Sequence, residues 1–105
     1  PRMFTLVVHL TIKEGLESAF REVAAKISKV TNEQDKGCIA YHYLQNATNP
    51  REFVVYEQWE DDASLDAHVE HLQAMFGKPS PGERLPAAIG KYFQAKNSGR
   101  YEWFA

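Results

Sequence analysis

A single cysteine, Cys38, leaves no partner for an internal disulfide and too few thiolates for a cysteine-built metal site. Excess charge of one sign is also missing. Twelve Lys and Arg face fourteen Asp and Glu, interspersed along the 105 residues, for a net charge of −2. No basic cluster marks a phosphate-binding face, so neither nucleic acid nor an anionic membrane surface is an expected partner. The longest apolar stretch, Phe4 to Val8 with Leu10 beyond it, falls far short of the ~20 residues of a membrane helix. No basic-plus-apolar leader opens the sequence, and no glycine-rich phosphate loop is present. Together these absences point to a soluble protein of a reducing cytoplasm.

What is there has the composition of an ordinary globular domain, 44% hydrophobic and 25% charged. The length suits one domain over residues 1–105. Residues Phe4 to Ile12 alternate, with Phe4, Leu6, Val8, Leu10 and Ile12 on one parity, which predicts a strand with one apolar face. From Leu16 to about Asn32 the apolar residues recur every three or four positions (Leu16, Ala19, Phe20, Val23, Ala24, Ile27, Val30), which predicts a helix with one buried stripe. Cys38 to Gln45 reads as a second strand, with Ile39, Tyr41 and Tyr43 on one side and Cys38, Ala40, His42 and Leu44 on the other. Turn residues Asn46 to Pro50 lead into a third strand, Glu52 to Trp59. Asp61-Asp62 is a helix-start signal for a helix over about 63–76, and Gly77 to Gly82 breaks it. A third helix is expected from roughly Leu85 to Ala95, then a short aromatic strand from Arg100 to Phe104.

The order is β-α-β-β-α-(α)-β, the split βαβ arrangement of an α+β, ferredoxin-like domain with an antiparallel sheet. Both faces of the third strand are largely apolar, so something must cover each side of the sheet. A small chain buries only about 60–70% of its unfolded surface. An identical copy is the simplest cover for the face that the helices leave open.

Several side chains stand out chemically. His68 falls on the apolar stripe of the second long helix, three after Leu65 and four before Leu72. There an imidazole needs a hydrogen-bond partner and could act as a base. Glu57 shares the parity of Phe53, Val55 and Trp59, and burial among them would raise its pKa towards a useful acid–base range. Trp59 could stack on a flat substrate or simply fill a strand end. Tyr41 and Tyr43 could bring hydroxyls to the same place, and His9, off the main parity of its strand, is an outlying candidate. His42 and His71 read as surface residues, and Cys38 as a buried, inert thiol. His68 and His71 are spaced to share a metal, but no third ligand is indicated. Pro1 stands directly before a strand, where tautomerases place an N-terminal proline amine as a base, but the motifs that follow fit that superfamily poorly.

Three stretches carry a resemblance. Gly37-Cys38-Ile39-Ala40-Tyr41, then Asn49 to Trp59 with its Tyr56-Glu57-Gln58-Trp59, then Ser64-Leu65-Asp66-Ala67-His68 resemble the signature of the antibiotic-biosynthesis monooxygenase family. The likeness covers about residues 3–76. The extra helix and terminal strand, about 83–104, lie beyond it. The resemblance implies a dimeric α+β barrel, two sheets closing face to face in a homodimer. It also implies an oxygenase without metal, flavin or other cofactor, whose partners are dioxygen and a small aromatic phenol or quinol. In that picture His68 and Glu57 are catalytic, and Trp59 and Tyr41 bind substrate; Tyr43, which the family pattern does not match, and His9 join them as substrate-binding candidates on their strand positions alone. Haem-degrading relatives use an asparagine on the first strand, and Val7-Val8-His9 offers none. Two other readings stay open. One is a non-catalytic, ligand-binding stress-response dimer. The other is a small-molecule isomerase with Arg84 and Arg100 lining the cavity.

Overall fold

The computed structural model describes residues 2–105, so the expectation for Pro1 lies outside the described residues. Four strands, β1 (Phe4–Ile12), β2 (Cys38–Gln45), β3 (Glu52–Trp59) and β4 (Phe93–Tyr101), form one antiparallel sheet in the order β2-β3-β1-β4. Helices α1 (Glu17–Gln34) and α2 (Asp62–Phe76) connect β1 to β2 and follow β3. The fold is α+β and ferredoxin-like.

Parity decides which side chains meet the helices. Phe4, Val8, Leu10 and Ile12 of β1 and Phe53, Val55, Glu57 and Trp59 of β3 are all buried, packed with Phe20, Ala24 and Ile27 of α1 and Leu72 of α2. The Phe20 ring meets Phe53 edge-on at 5.0 Å, a contact worth about 0.5–1.5 kcal/mol beyond area burial. The N-terminus of α2 is capped by Asp61, whose carboxylate accepts from Ser64 N at 2.8 Å, in keeping with the acidic start signal. No helix is long and apolar enough to cross a membrane among the described residues.

Three expectations need correction. The third helix is a single turn, α3 (Ala87–Gly90), and the last strand begins at Phe93 rather than Arg100. Pairing with β1 from Thr5 to Ile12 draws residues of modest strand propensity, Gln94 to Ser98, into the sheet. The simple alternation expected for β2 also fails. A bulge between Cys38 and Ala40 lets Cys38 pair with Trp59 and Tyr41 with Glu57. Cys38 therefore joins the helix-covered face with Tyr41 and Tyr43, while Ile39 is the extra residue, 48% exposed.

The other face of the sheet is mixed. Val7, Val54 and Tyr56 are half-buried there, among His9, Asn97, His42 and Gln58. It is more polar than the sequence suggested, because β1 places Thr5, His9 and Thr11 on it.

Candidate active site

Between the sheet and α2 lies a cavity of about 160 Å³. Leu6, Val8, Val55, Leu65, Leu72 and Ile89 are among the residues that make its wall apolar. Its buried polar groups are Tyr41, Glu57 and His68, each less than 7% exposed. They converge because the β2 bulge sets Tyr41 opposite Glu57, and α2 lays His68 across them. The His68 ring centre lies 5.2 Å from that of Tyr41 and 4.8 Å from that of Trp59.

Glu57 is a carboxyl group in apolar surroundings, and burial pushes its pKa up to about 7. The indole Nε1–H of Trp59 donates to Oε1 at 2.9 Å and pulls the other way, since it favours the ionised form. At neutral pH Glu57 thus exchanges readily between acid and base. Trp59 itself is fully buried and does not line the cavity. It touches the site through Glu57 and His68, so it positions these groups rather than offering a free stacking face.

His68 has a partner that the sequence did not reveal. Its Nδ1 lies 2.6 Å from one carboxylate oxygen of Asp35, and Nδ1 of His71 lies 2.6 Å from the other. Asp35 is the residue at the C-terminal cap of α1. A carboxylate only accepts, so both rings carry the Nδ1 proton, and Nε2 of His68 is the nitrogen left for a ligand. Burial holds His68 below its ordinary pKa, against the opposing effect of Asp35. The imidazole is neutral at pH 7 and able to accept. His71, 31% exposed at its side chain, is no bystander on the surface. A histidine pair at i,i+3 was visible in the sequence, but nothing local linked it to a carboxylate 33 residues upstream of His68.

Tyr41 and Tyr43 both line the cavity, with their hydroxyls 3.0 Å apart. Burial raises both phenols well above their ordinary range, so they remain protonated hydrogen-bond partners. Cys38 is likewise raised, to about 11, by burial and by the charges of Asp35 and Glu57, which leaves an inert thiol. His9 is not brought to this place. It projects from the uncovered face, between Val54 and Asn97. Arg84 does line the cavity, paired with Asp66 at 2.8 Å, but Arg100 does not; it binds Asp62 at 2.5 Å and stacks on Phe4. Lys96, which sequence reasoning passed over, lines the cavity instead. Among the described residues no group of three His, Cys, Asp or Glu side chains is arranged to hold a metal.

Known structures share this architecture. A Nitrosomonas europaea protein provisionally named an antibiotic biosynthesis monooxygenase superposes with a TM-score of 0.77 at 19% identity, over 95% of this chain and 88% of its own. A Bacteroides thetaiotaomicron protein of unknown function, suggested to be an oxidoreductase, gives 0.76 at 21% identity, over 97% and 98%. A Pseudomonas aeruginosa protein gives 0.73 at 19% identity, over 100% and 97%. At these identities the likeness is one of fold. No curated protein matches the chain. The profile named "Antibiotic biosynthesis monooxygenase" matches residues 3–75, more than half of the sequence and all of the residues that build the acid–base end of the cavity. The chain belongs to the antibiotic biosynthesis monooxygenase family.

Proposed function

We propose that the protein is a monooxygenase of small phenols or quinols that works without a metal or an organic cofactor. The observation that carries this reading is the meeting of Glu57, poised near pH 7, with the neutral imidazole of His68 at the buried end of one apolar cavity. Such a pair removes a phenolic proton at neutral pH. The resulting phenolate is electron-rich and passes one electron to dioxygen. Recombination of the two radicals forms a carbon–oxygen bond at an unsubstituted ring carbon. The peroxide then takes up a proton and its O–O bond breaks as the ring C–H proton leaves, giving a quinone and water. One oxygen atom enters the ring, the other becomes water, and the substrate supplies all four electrons. The protein's part is to orient the ring, exclude water and hold protons at Glu57, His68 and the Tyr41–Tyr43 hydroxyl pair.

The same reading includes a homodimer closed through the uncovered face of the sheet. Half-buried Val7, Val54 and Tyr56 support it, since they leave apolar surface for an identical copy to cover. A cytoplasmic location fits the single, half-buried free thiol.

Oxygen uptake with a panel of phenols and quinols tests the activity. Uptake that Glu57→Gln and His68→Ala both depress is expected. Uptake no greater than that of the two variants, across the panel, would remove the oxygenase reading. Ligand binding without oxygen consumption would make the cavity a binding site only.

A further inference from the structure

The cavity has a second polar end. Tyr41, Glu57 and His68 are buried at one end, whereas Arg84, Lys96 and Ser98, which also line it, are exposed. The exposed residues therefore form its mouth. Arg84 is already neutralised by Asp66. Lys96 has no ion-pair partner among the described residues, so the mouth carries one uncompensated positive charge.

The geometry points to a substrate that is a one-ring hydroxyaromatic acid, its hydroxyl at Glu57 and His68 and its carboxylate at Lys96 and Ser98. This rests on the acid–base reading of the inner end and adds the chemical class of the ligand. Three observations support it. First, the volume of about 160 Å³ is that of a cavity which takes a single benzene ring, an apolar cavity of roughly 150 Å³ being enough. Second, the register fixes the span. Glu57 stands opposite Leu6 and Lys96 opposite Leu10, with β1 between them. Strands about 4.8 Å apart and a rise of about 3.4 Å per residue put the two backbones roughly 17 Å apart. Side chains leaning inward leave on the order of 10–14 Å between carboxyl and ammonium. A phenol bearing a carboxylate on a one- or two-carbon arm spans about 7–9 Å between its oxygens and, with a hydrogen bond of about 2.8 Å at each end, fills that gap. Third, the charges are ordered. A carboxylate entering inner end first would meet Glu57, whereas the opposite orientation pairs it with the cation and leaves the phenol proton facing the bases.

Binding by calorimetry tests this without reference to turnover. The ligands are 4-hydroxybenzoate, 4-hydroxyphenylacetate and 3-(4-hydroxyphenyl)propanoate, each against its uncharged carboxamide. At least one acid is expected to bind about three- to tenfold more tightly than its amide. That preference shrinks with added salt and largely disappears in Lys96→Gln, while the amides bind Lys96→Gln as well as they bind the native protein. Absence of a preference for any acid, an undiminished preference in Lys96→Gln, or no binding by any of the six would overturn the assignment. If the preference is found but no ligand is oxidised, the oxygenase reading fails and the recognition of an anionic phenol stands. Oxidation confined to uncharged phenols has the converse meaning: the oxygenase reading stands and the acid is overturned as the substrate.

Discussion

The indole of Trp59 donates to the carboxyl of Glu57 from two residues along the same strand, across 2.9 Å of buried space. One strand thus supplies both the group that titrates and the donor that sets where it titrates. Residues two apart on a strand share a face, so the pairing needs no contribution from a distant part of the chain.

The first prediction is a pH dependence. Burial raises the folded-state pKa of Glu57 from 4.5 to about 7. The protonated form is the one that folding favours, so this contribution to stability is fully present below the unfolded pKa. It is lost as pH rises through about 7. Between pH 5 and 8 the stability of the native protein, read by thermal unfolding, should fall relative to Glu57→Gln, towards a limit of about 3 kcal/mol at the alkaline end. Catalysis has the opposite slope, because the base must be ionised. kcat/KM should rise with a limb near pH 7, and Glu57→Gln should remove that limb and about 10²–10⁴-fold of the rate.

Trp59→Phe keeps an aromatic ring and deletes the N–H. Without the donor the carboxylate is less well held, so the activity limb should move to higher pH. The stability loss should be smaller than the roughly 3–5 kcal/mol of truncation to alanine. A pH–rate profile together with denaturant unfolding separates the two effects. An unmoved limb would mean that the hydrogen bond does not tune Glu57.

Asp35→Asn offers one acceptor oxygen where two imidazoles need one each. A ring must then change tautomer or lose its partner, at a cost of about 1–3 kcal/mol. The support that Asp35 gives to protonation of His68 also goes, so the imidazole becomes a weaker base. Nitrogen NMR of the histidines should show an altered Nδ1 signal for His68 and activity should fall. His71→Ala should cost less in stability than His68→Ala, because water can reach the oxygen it vacates.

Gly37 has φ +86°, and a Cβ there would stand 2.0 Å from Ser64 Oγ. Both the left-handed backbone and the contact reject a side chain. Gly37→Ala should destabilise by more than the ~0.4–1 kcal/mol that the same change contributes in the stabilising direction at a compatible site, read by thermal unfolding. Ser64→Ala removes the hydroxyl bond to Asp61 and keeps the backbone cap bond, yet it does not relieve the clash, because Ser64 Cβ lies 2.5 Å from that same position.

The dimer can be addressed at Val7. Val7→Lys places a charge on the uncovered face, where a lone protomer tolerates it and a paired one does not. Sedimentation should report about twice the 12.0 kDa chain mass for the native protein and a single chain for the variant. A native protein that sediments as one chain would sink the paired arrangement.

Long periodic elements were legible because their burial follows chain spacing alone. The stripe of α1, the parity of β1 and β3, and the placement of Glu57 and His68 in one interior all follow from it. The last part of the chain was not. Leu85 to Ala95 has helical spacing, yet the strand pairing available along β1 outweighs it from Phe93 onward, and Lys96 reaches the cavity only through that pairing. The bulge that turns Cys38 inward also has no mark in its composition. Asp35 reads as a helix terminator, and only packing brings it over two histidines of another helix. The placement of His9 was legible, since its parity alone sends it to the far side of the sheet, away from the cavity.

Asp35 closes α1 while also anchoring the imidazoles of α2. The last turn of a helix is where it frays first. Warming that loosens this one turn would disarm His68 while the sheet stays folded, so function should fade some degrees before the protein melts.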